Sequence, residues 1–129
     1  MNYLHFAAVG LGAALGAWSR WLLGLLLNPL VREIPLGTLA ANLSGCYLVG
    51  IALGVFHLHA EIPLALKLFV ITGFLGGLTT FSTFSAETTE RLLSGQTGMT
   101  VLMIVLHLLG SLLLTILGLA TVGAARIWS

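Results

Sequence analysis

The sequence predicts an all-α membrane protein with four transmembrane helices, and two observations, composition and length, predict it. Of the 129 residues, 58% are hydrophobic and 7% are charged, whereas a soluble domain carries about 25% charged residues. A helix needs about 20 apolar residues to cross a hydrocarbon core of about 30 Å. Four such helices with short connections use nearly the whole chain. We therefore interpret residues 1–129 as one transmembrane domain, which excludes a soluble enzyme.

Charged residues divide the chain into its spans. The four longest stretches without charge are residues 1–19, 34–60, 68–86 and 92–125. Together with the positions of proline and glycine, which end helices, these stretches predict helices at about 4–27, 36–56, 63–93 and 98–122.

Small residues recur at every fourth position in the first two spans. They are Gly12, Gly16 and Gly24, in one row with Arg20, and then the pairs Ala41 with Gly45 and Gly50 with Gly54. Rows of this kind let helix backbones approach closely in lipid. The pattern predicts tight helix packing and says little about function.

The third span has an unusual middle. Gly73, Gly76 and Gly77 precede seven consecutive Thr, Ser or Phe residues at 79–85, and such a run makes a poor continuous helix. Freed backbone groups are tolerated at membrane depth only against protein or a water-filled cavity, and broken helices present backbone groups to ions. We predict a third helix broken near the midplane, with a merely kinked helix as the alternative.

The cations in the connections favour neither orientation in the membrane. An even number of spans puts Lys67 and Arg126 on one side and Arg32 and Arg91 on the other. Since cations in short loops set orientation, two against two predicts dual topology, in which copies insert both ways and pair as an antiparallel homodimer. Four short helices scarcely enclose a pore alone, which also favours a dimer.

Polar and aromatic side chains within the spans suit a small anion. Helical spacing puts Thr38 and Asn42 on one face of the second span. The fourth span does the same with His107, Ser111 and Thr115, and the third carries Thr79, Phe81, Ser82, Thr83, Phe84 and Ser85. Uncharged N–H and O–H donors and positive ring edges replace part of a hydration shell without trapping the ion. For any single hydroxyl the alternative is an interhelical hydrogen bond, and for His107 it is packing.

Several kinds of chemistry are excluded by what the sequence lacks. It has no Asp, and its four Glu residues fall near the predicted span ends, so no mid-membrane carboxylate is available to bind protons or organic cations. Its single cysteine, Cys46, forms no internal disulfide or CxxC motif, and no Ser/His/Asp arrangement supports hydrolysis. The net charge of +1 offers no basic patch for nucleic acid.

Two charged residues need a role of their own. Arg20 lies at membrane depth, which is costly unless it snorkels or pairs. It either attracts anions in a vestibule or pairs at a helix end, where Glu87 is one candidate partner. Glu87 itself either caps a pathway or lies at the membrane interface.

Three segments resemble the Fluc/CrcB family of fluoride channels. They are GAWSR at residues 16–20, GTLAANLSG at 37–45 and GFLGGLTTFSTFS at 73–85. The last is highly specific, and with the length and span count the resemblance covers essentially the whole chain.

The resemblance implies a fold, an activity and a set of site residues. Members of the family form antiparallel dual-topology dimers with two pores that passively export fluoride from the microbial cytoplasm. In the family, backbone carbonyls hold a structural Na⁺ at the dimer interface. The matching positions in this sequence are Gly76 and Thr79. The pore residues correspond to Asn42, Phe81, Phe84, Ser82, Thr83 and Ser111, and Arg20 and Glu87 match recurrent charged positions. Helical spacing, rather than the resemblance, adds Thr38 to this pathway. Many members carry tyrosine at the position of His107. The implied location is the bacterial inner membrane, with fluoride and the lipid bilayer as partners.

Other functions compete with a passive channel. A small multidrug-type exporter is also a four-helix, dual-topology dimer, but it needs a mid-membrane carboxylate. A structural subunit would carry no ion flux, and a proton-coupled fluoride antiporter needs a titratable group in the path, for which His107 is the candidate.

Overall fold

The computed structural model describes residues 2–123, and its elements there are helices. They are α1 (Tyr3–Leu27), α2 (Leu36–Leu58), α3 (residues 64–78), α4 (Phe81–Leu93) and α5 (Thr97–Thr121). Arg126, which entered the charge count, lies outside the described residues.

Helix α3 is composite. It begins as an α-helix at Leu64–Lys67, continues as a π-helix at Leu68–Leu75 and ends with a short turn at Gly76–Leu78. π-Helical segments are rare in proteins, and those that occur, mostly as single turns, are frequently found at functional sites.

Within residues 2–123, four helical stretches are long and apolar enough to cross a membrane. They are Tyr3–Leu30, Leu36–Leu58, Leu64–Leu93 and Thr97–Thr121, with mean hydropathy between 1.3 and 2.5. The prediction of four membrane-capable helices in an all-helical chain is confirmed. Large apolar side chains such as Trp18 and Trp21 are exposed, as expected for a surface solvated by lipid rather than water.

The helix ends follow from local sequence. The side chain of Asn2 accepts a hydrogen bond from the N–H of Leu4 and caps the start of α1. Pro29 follows the end of α1, and Pro35 directly precedes α2. After α4 the chain turns at Gly95, whose φ of +80° is readily available only to glycine.

Glycines bring the helix backbones into contact at two places. A Cβ added at Gly16 would collide with the carbonyl oxygen of Phe74 on α3, and one added at Gly77 would lie 2.5 Å from the carbonyl oxygen of Ala13 on α1. Gly50 on α2 and Gly118 on α5 approach one another in the same way. The predicted close packing through small residues of the first two spans is confirmed at Gly16 and Gly50.

The two helices of the third span, α3 and α4, pack against different neighbours. Helix α3 packs mainly on α1, α5 packs mainly on α2, and α4 packs on α5. Two residues between α3 and α4 have extended backbones, Thr79 with φ −83° and ψ 152°, and Thr80 with φ −150° and ψ 120°. The chain therefore passes from the α1 side of the bundle to the α5 side at these two residues.

The glycine contacts lead to a stability prediction. We expect Gly16→Ala to destabilise the protein by about 1–3 kcal/mol, because the new methyl group overpacks against the Phe74 backbone. Gly10→Ala is the matched control on the same helix, since a Cβ there meets no atom within 4 Å. Unfolding by SDS in mixed micelles measures both variants. Equal stability of Gly16→Ala and wild type would contradict the packing of α1 on α3.

Candidate functional site

The side-chain amide of Asn42 holds the extended residues between α3 and α4. The backbone N–H of Thr80 donates to Asn42 Oδ1 at 2.7 Å, and Asn42 Nδ2 donates to the carbonyl oxygen of Thr80 at 3.0 Å. Asn42 is buried, with 8% of its surface exposed. A buried amide thus pairs with both backbone groups of Thr80, including the N–H, which has no helical acceptor here and would cost free energy in the interior if it stayed unpaired.

This pairing redirects the donors of two carbonyl groups. In an uninterrupted helix the N–H of Thr80 would donate to the Gly76 carbonyl, but it donates to Asn42 instead. The N–H of Thr83 would likewise donate to the Thr79 carbonyl, but it donates to Thr80 Oγ1 at 3.1 Å. The helical donors of the Gly76 and Thr79 carbonyls are therefore used elsewhere.

Side chains also cap the two helix ends that meet at the interruption. Arg20 Nε donates to the carbonyl oxygen of Gly77 at 3.1 Å, which places a guanidinium at the C-terminal end of α3. Thr80 is the N-cap of α4 through its bond from the Thr83 N–H. Positive charge at a helix C-terminus and a threonine at an N-cap are both stabilising.

A cavity of about 250 Å³ lies beside the interruption, and we call it the His107 cavity. Its lining comes from α2, α4, α5 and the interruption: Asn42, Cys46, Thr79, Thr80, Phe81, Phe84, His107, Leu108, Ser111 and Leu112. None of these side chains is a carboxylate, a lysine or an arginine. The lining thus combines apolar surface with uncharged polar groups and aromatic rings.

His107 occupies a defined position in this cavity. Its Nδ1 lies 3.1 Å from Asn42 Nδ2, and its ring centroid lies 4.5 Å from that of Phe84. The ring of Phe84 in turn contacts Phe81 edge to face, with 5.4 Å between centroids. His107 is 5% exposed, and its Nε2 is buried without a hydrogen-bond partner in the described part of the chain.

A second cavity of about 300 Å³ lies between α1, α2 and α4, and we call it the Glu87 cavity. Arg20, Thr38, Thr83 and Glu87 line it together with Trp21, Gly24, Leu25 and Asn28. Thr38 Oγ1 donates to Glu87 Oε1 at 2.8 Å, while Glu87 Oε2 is buried without a partner within residues 2–123.

The suggested pairing of Arg20 with Glu87 is not what the structure shows. The two side chains line the same cavity, but within residues 2–123 no ion pair joins them. Arg20 binds the Gly77 carbonyl and Glu87 binds Thr38. Each of the two charged side chains thus forms its hydrogen bond with a neighbouring uncharged group and not with the other charged side chain.

The remaining residues singled out by the sequence have separate positions. Ser82 is exposed and its Oγ lies 3.2 Å from Thr80 Oγ1. Ser111 lines the His107 cavity. Thr115, one turn further on, donates to the carbonyl oxygen of Ser111 within α5 and to that of Cys46 on α2, and the second bond is interhelical.

Sequence reasoning missed Thr80, which lies at the centre of the site. Its backbone binds Asn42, its hydroxyl caps α4, and it lines the His107 cavity. A threonine directly before a new helix is a capping signal. That signal is present in the sequence, but several neighbouring Ser and Thr residues could equally be N-caps, so it does not single out Thr80.

Comparisons with known proteins agree on one family. A family model described as CrcB-like protein, Camphor Resistance (CrcB), matches residues 7–119. The chain is 63% identical over 129 residues to the fluoride-specific ion channel FluC of Dechloromonas aromatica, a match that covers all of this chain and 96% of that protein. Similar matches join it to proteins of the same name from Nitrosospira multiformis (58% over 122 residues; 95% of each chain) and Acinetobacter baumannii (54% over 119 residues; 92% of this chain and 94% of the other).

The N-cap leads to a prediction for Thr80. We expect Thr80→Ala to lower the free energy of unfolding by about 1 kcal/mol, because the N–H of Thr83 loses its acceptor. Thr80→Ser retains the hydroxyl and is the matched control, with stability close to wild type. The same micellar unfolding assay measures both variants, and equal losses in the two would exclude the cap as the cause.

Proposed function

The chain belongs to the CrcB family, and we propose on that basis that it is a passive, fluoride-selective channel that exports cytoplasmic fluoride from bacteria. Its family consists of membrane transport proteins and not of enzymes, and the chain has four membrane-capable helices. Fluoride resistance, the inner membrane as location and two pores per dimer are parts of the proposal.

The observation that carries the proposal is the chemistry of the His107 cavity. Asn42, Thr80, His107 and Ser111 bring uncharged polar groups there, and Phe81 and Phe84 bring aromatic rings. The cavity also adjoins the start of α4, where the helix dipole favours an anion. Neutral groups of this kind bind a small anion weakly enough for it to leave again.

Passive export agrees with the electrical driving force. A membrane potential that is negative inside drives an anion outward, at about 2.3 kcal/mol per charge for each 100 mV. Fluoride enters cells as neutral HF from acidic surroundings and dissociates in the cytoplasm, so it accumulates there. A channel then relieves the accumulation without a coupling ion.

The exposed side of α4 supports a second copy of the chain as partner. Phe81 is 76% exposed, and Ser82, Ser85 and Glu90 are exposed on the same helix. Lipid offers no partners to polar groups at membrane depth. A homodimer that covers α4 removes this cost and completes the wall of the His107 cavity beside Phe81.

Charge placement supports the antiparallel form of that dimer. Arg91 Nη2 donates to the carbonyl oxygen of Arg32 at 3.1 Å, so these two cations share one end of the bundle, as the charge count assumed. With Lys67 and Arg126 assigned to the other end, the count stays balanced. Balanced loops supply no orientation signal, which supports dual topology.

The family's structural Na⁺ is compatible with the residues present. The carbonyls of Gly76 and Thr79 have lost their helical donors to Asn42 and Thr80, and carbonyl oxygens are suitable ligands for a hard cation. These two groups would hold the ion, which when bound neutralises oxygens that no helix satisfies. An interruption near the midplane, in the middle of the Leu64–Leu93 stretch, belongs to the same proposal.

Proton-coupled export of fluoride or of another small molecule is the second candidate, and the Glu87 cavity favours it. Glu87 has a buried carboxylate oxygen that finds no hydrogen-bond partner among residues 2–123, and it lies within a membrane-capable helix. Coupling requires such a titratable group in the path. We rank it below the channel because Glu87 lies six residues from the end of that helix and does not line the His107 cavity.

Flux from liposomes tests the proposed function. We expect liposomes that contain the purified protein and are loaded with fluoride to release it when valinomycin and a K⁺ gradient set the voltage, with equal pH on both sides. Liposomes loaded with chloride are expected to stay nearly sealed. Release that requires a proton gradient would support the exporter. No release from a properly assembled dimer, with or without a proton gradient, would contradict both the channel and the proton-coupled export of fluoride.

The aromatic rings lead to a mutational prediction. We expect Phe81→Ile and Phe84→Ile each to slow fluoride efflux about tenfold, a factor equivalent to about 1.4 kcal/mol, because the positive ring edges are lost while apolar bulk remains. Phe6→Ile is the matched control, since Phe6 is an exposed phenylalanine outside the His107 cavity. A fluoride electrode measures the rates and size-exclusion chromatography the assembly. Wild-type rates in both variants would exclude the rings from the pathway.

A further inference from the structure

The orientation of the Asn42 amide is determined by the backbone of Thr80. A backbone N–H only donates and a carbonyl only accepts, so the amide oxygen must face the Thr80 N–H and the amide nitrogen the Thr80 carbonyl. Reversing the amide would set donor against donor and acceptor against acceptor. The group that Asn42 presents to His107 is therefore an N–H donor.

That donor selects the tautomer of His107. Asn42 Nδ2 lies 3.1 Å from His107 Nδ1, and a donor facing a ring nitrogen requires that nitrogen to carry a lone pair. In a neutral imidazole the proton then lies on Nε2. The Thr80 backbone, through Asn42, makes Nε2 of His107 a donor.

This donor has no partner in the described chain. His107 is 95% buried, and Nε2 is a buried polar atom without a hydrogen bond within residues 2–123. A buried donor left unpaired is costly, because it has lost its hydrogen bond to water. Because His107 lines a cavity free of carboxylates and of cationic side chains, a small anion in that cavity would supply the missing acceptor.

We propose that the Nε2–H of His107 donates a hydrogen bond to the conducted anion, and that Asn42 is the positioning residue that holds this tautomer. The inference rests on the proposed fluoride channel. Both N–H groups of Asn42 are already used, one by Thr80 and one by His107. Asn42 therefore acts on the anion through the imidazole rather than as its donor.

The tautomer also gives the cavity its selectivity for negative charge. An Nε2 lone pair would attract cations and repel an anion, whereas an Nε2–H attracts the anion without the trapping that a full positive charge would produce. The neutral imidazole thus performs the task that the lining otherwise leaves to hydroxyls and ring edges.

Nitrogen NMR of the imidazole tests the positioning role. The dimer in lipid nanodiscs is labelled with ¹⁵N-histidine and observed at mildly alkaline pH, and the signal of His107 among the four histidines is the one lost in His107→Gln. In the wild-type protein we expect Nε2 of His107 to be protonated and Nδ1 to be unprotonated. In Asn42→Asp we expect the reverse, because the new carboxylate accepts a hydrogen bond from Nδ1–H. A protonated Nδ1 in the wild-type protein would overturn the inference.

Anion titration of the same sample tests the donor role. Added fluoride is expected to shift the Nε2–H proton resonance of His107, and an equal concentration of chloride to leave it nearly unchanged. The histidine in α1, His5, serves as the internal reference because it lies outside the cavity. An unchanged His107 resonance at saturating fluoride would overturn the donor role.

Flux measurements separate this role from simple packing. His107→Phe keeps a ring without the donor and is expected to lower fluoride efflux about tenfold or more, the loss expected for a hydrogen bond to a charged group. His107→Gln, whose amide nitrogen reaches the position of Nε2, is expected to retain most of the rate, and His5→Phe all of it.

The outcomes distinguish this inference from the proposed function. Equal efflux from wild type and His107→Phe, or a Gln variant as slow as the Phe variant, would overturn the donor role while leaving a fluoride channel. Absence of efflux from the wild-type protein would contradict the channel itself, and the tautomer would still be readable by NMR.

Discussion

The pairing of the Asn42 amide with the backbone of Thr80 is the interaction on which the rest of the site depends. A membrane-embedded chain leaves a helix only where protein or water satisfies the freed backbone groups, and here the amide of Asn42 binds both the N–H and the C=O of Thr80. With that support the chain leaves α1 after α3 and joins α5 as α4. Both cavities are lined from α4, and one of them also by the interruption.

The same pairing separates two kinds of electrostatic environment. On the α3 side it leaves carbonyl oxygens without helical donors, one of which, at Gly77, is bound by Arg20. On the α4 side it leaves a helix N-terminus beside Phe84 and the imidazole of His107. Carbonyls favour a cation and the N-terminal side favours an anion. A structural Na⁺ and a conducted fluoride, as proposed, would therefore occupy opposite ends of one interruption.

How much the sequence predicts depends on the kind of interaction. Four membrane-capable helices follow from composition, and close packing at Gly16 from the spacing of small residues, because both are properties of whole helix faces. The run at 79–85 stood out because its residues form helices poorly, and two of them, Thr79 and Thr80, are extended. Partner choice was not predictable: Glu87 binds Thr38, and Arg20 binds a carbonyl. Such choices depend on how each helix is rotated and how deep it lies, which spacing alone does not encode.

Solid-state NMR of the protein in bilayers tests the central interaction most directly. In a sample labelled with ¹⁵N-asparagine and ¹³C-carbonyl threonine, no asparagine directly follows a threonine, because Asn2, Asn28 and Asn42 follow Met, Leu and Ala. A side-chain ¹⁵N to threonine ¹³C coupling therefore reports a contact through space. We expect a coupling of the strength that a 3.0 Å N···O hydrogen bond between Asn42 and Thr80 gives, and we expect it to be lost in Asn42→Ala. Its absence in the wild-type protein would contradict the account.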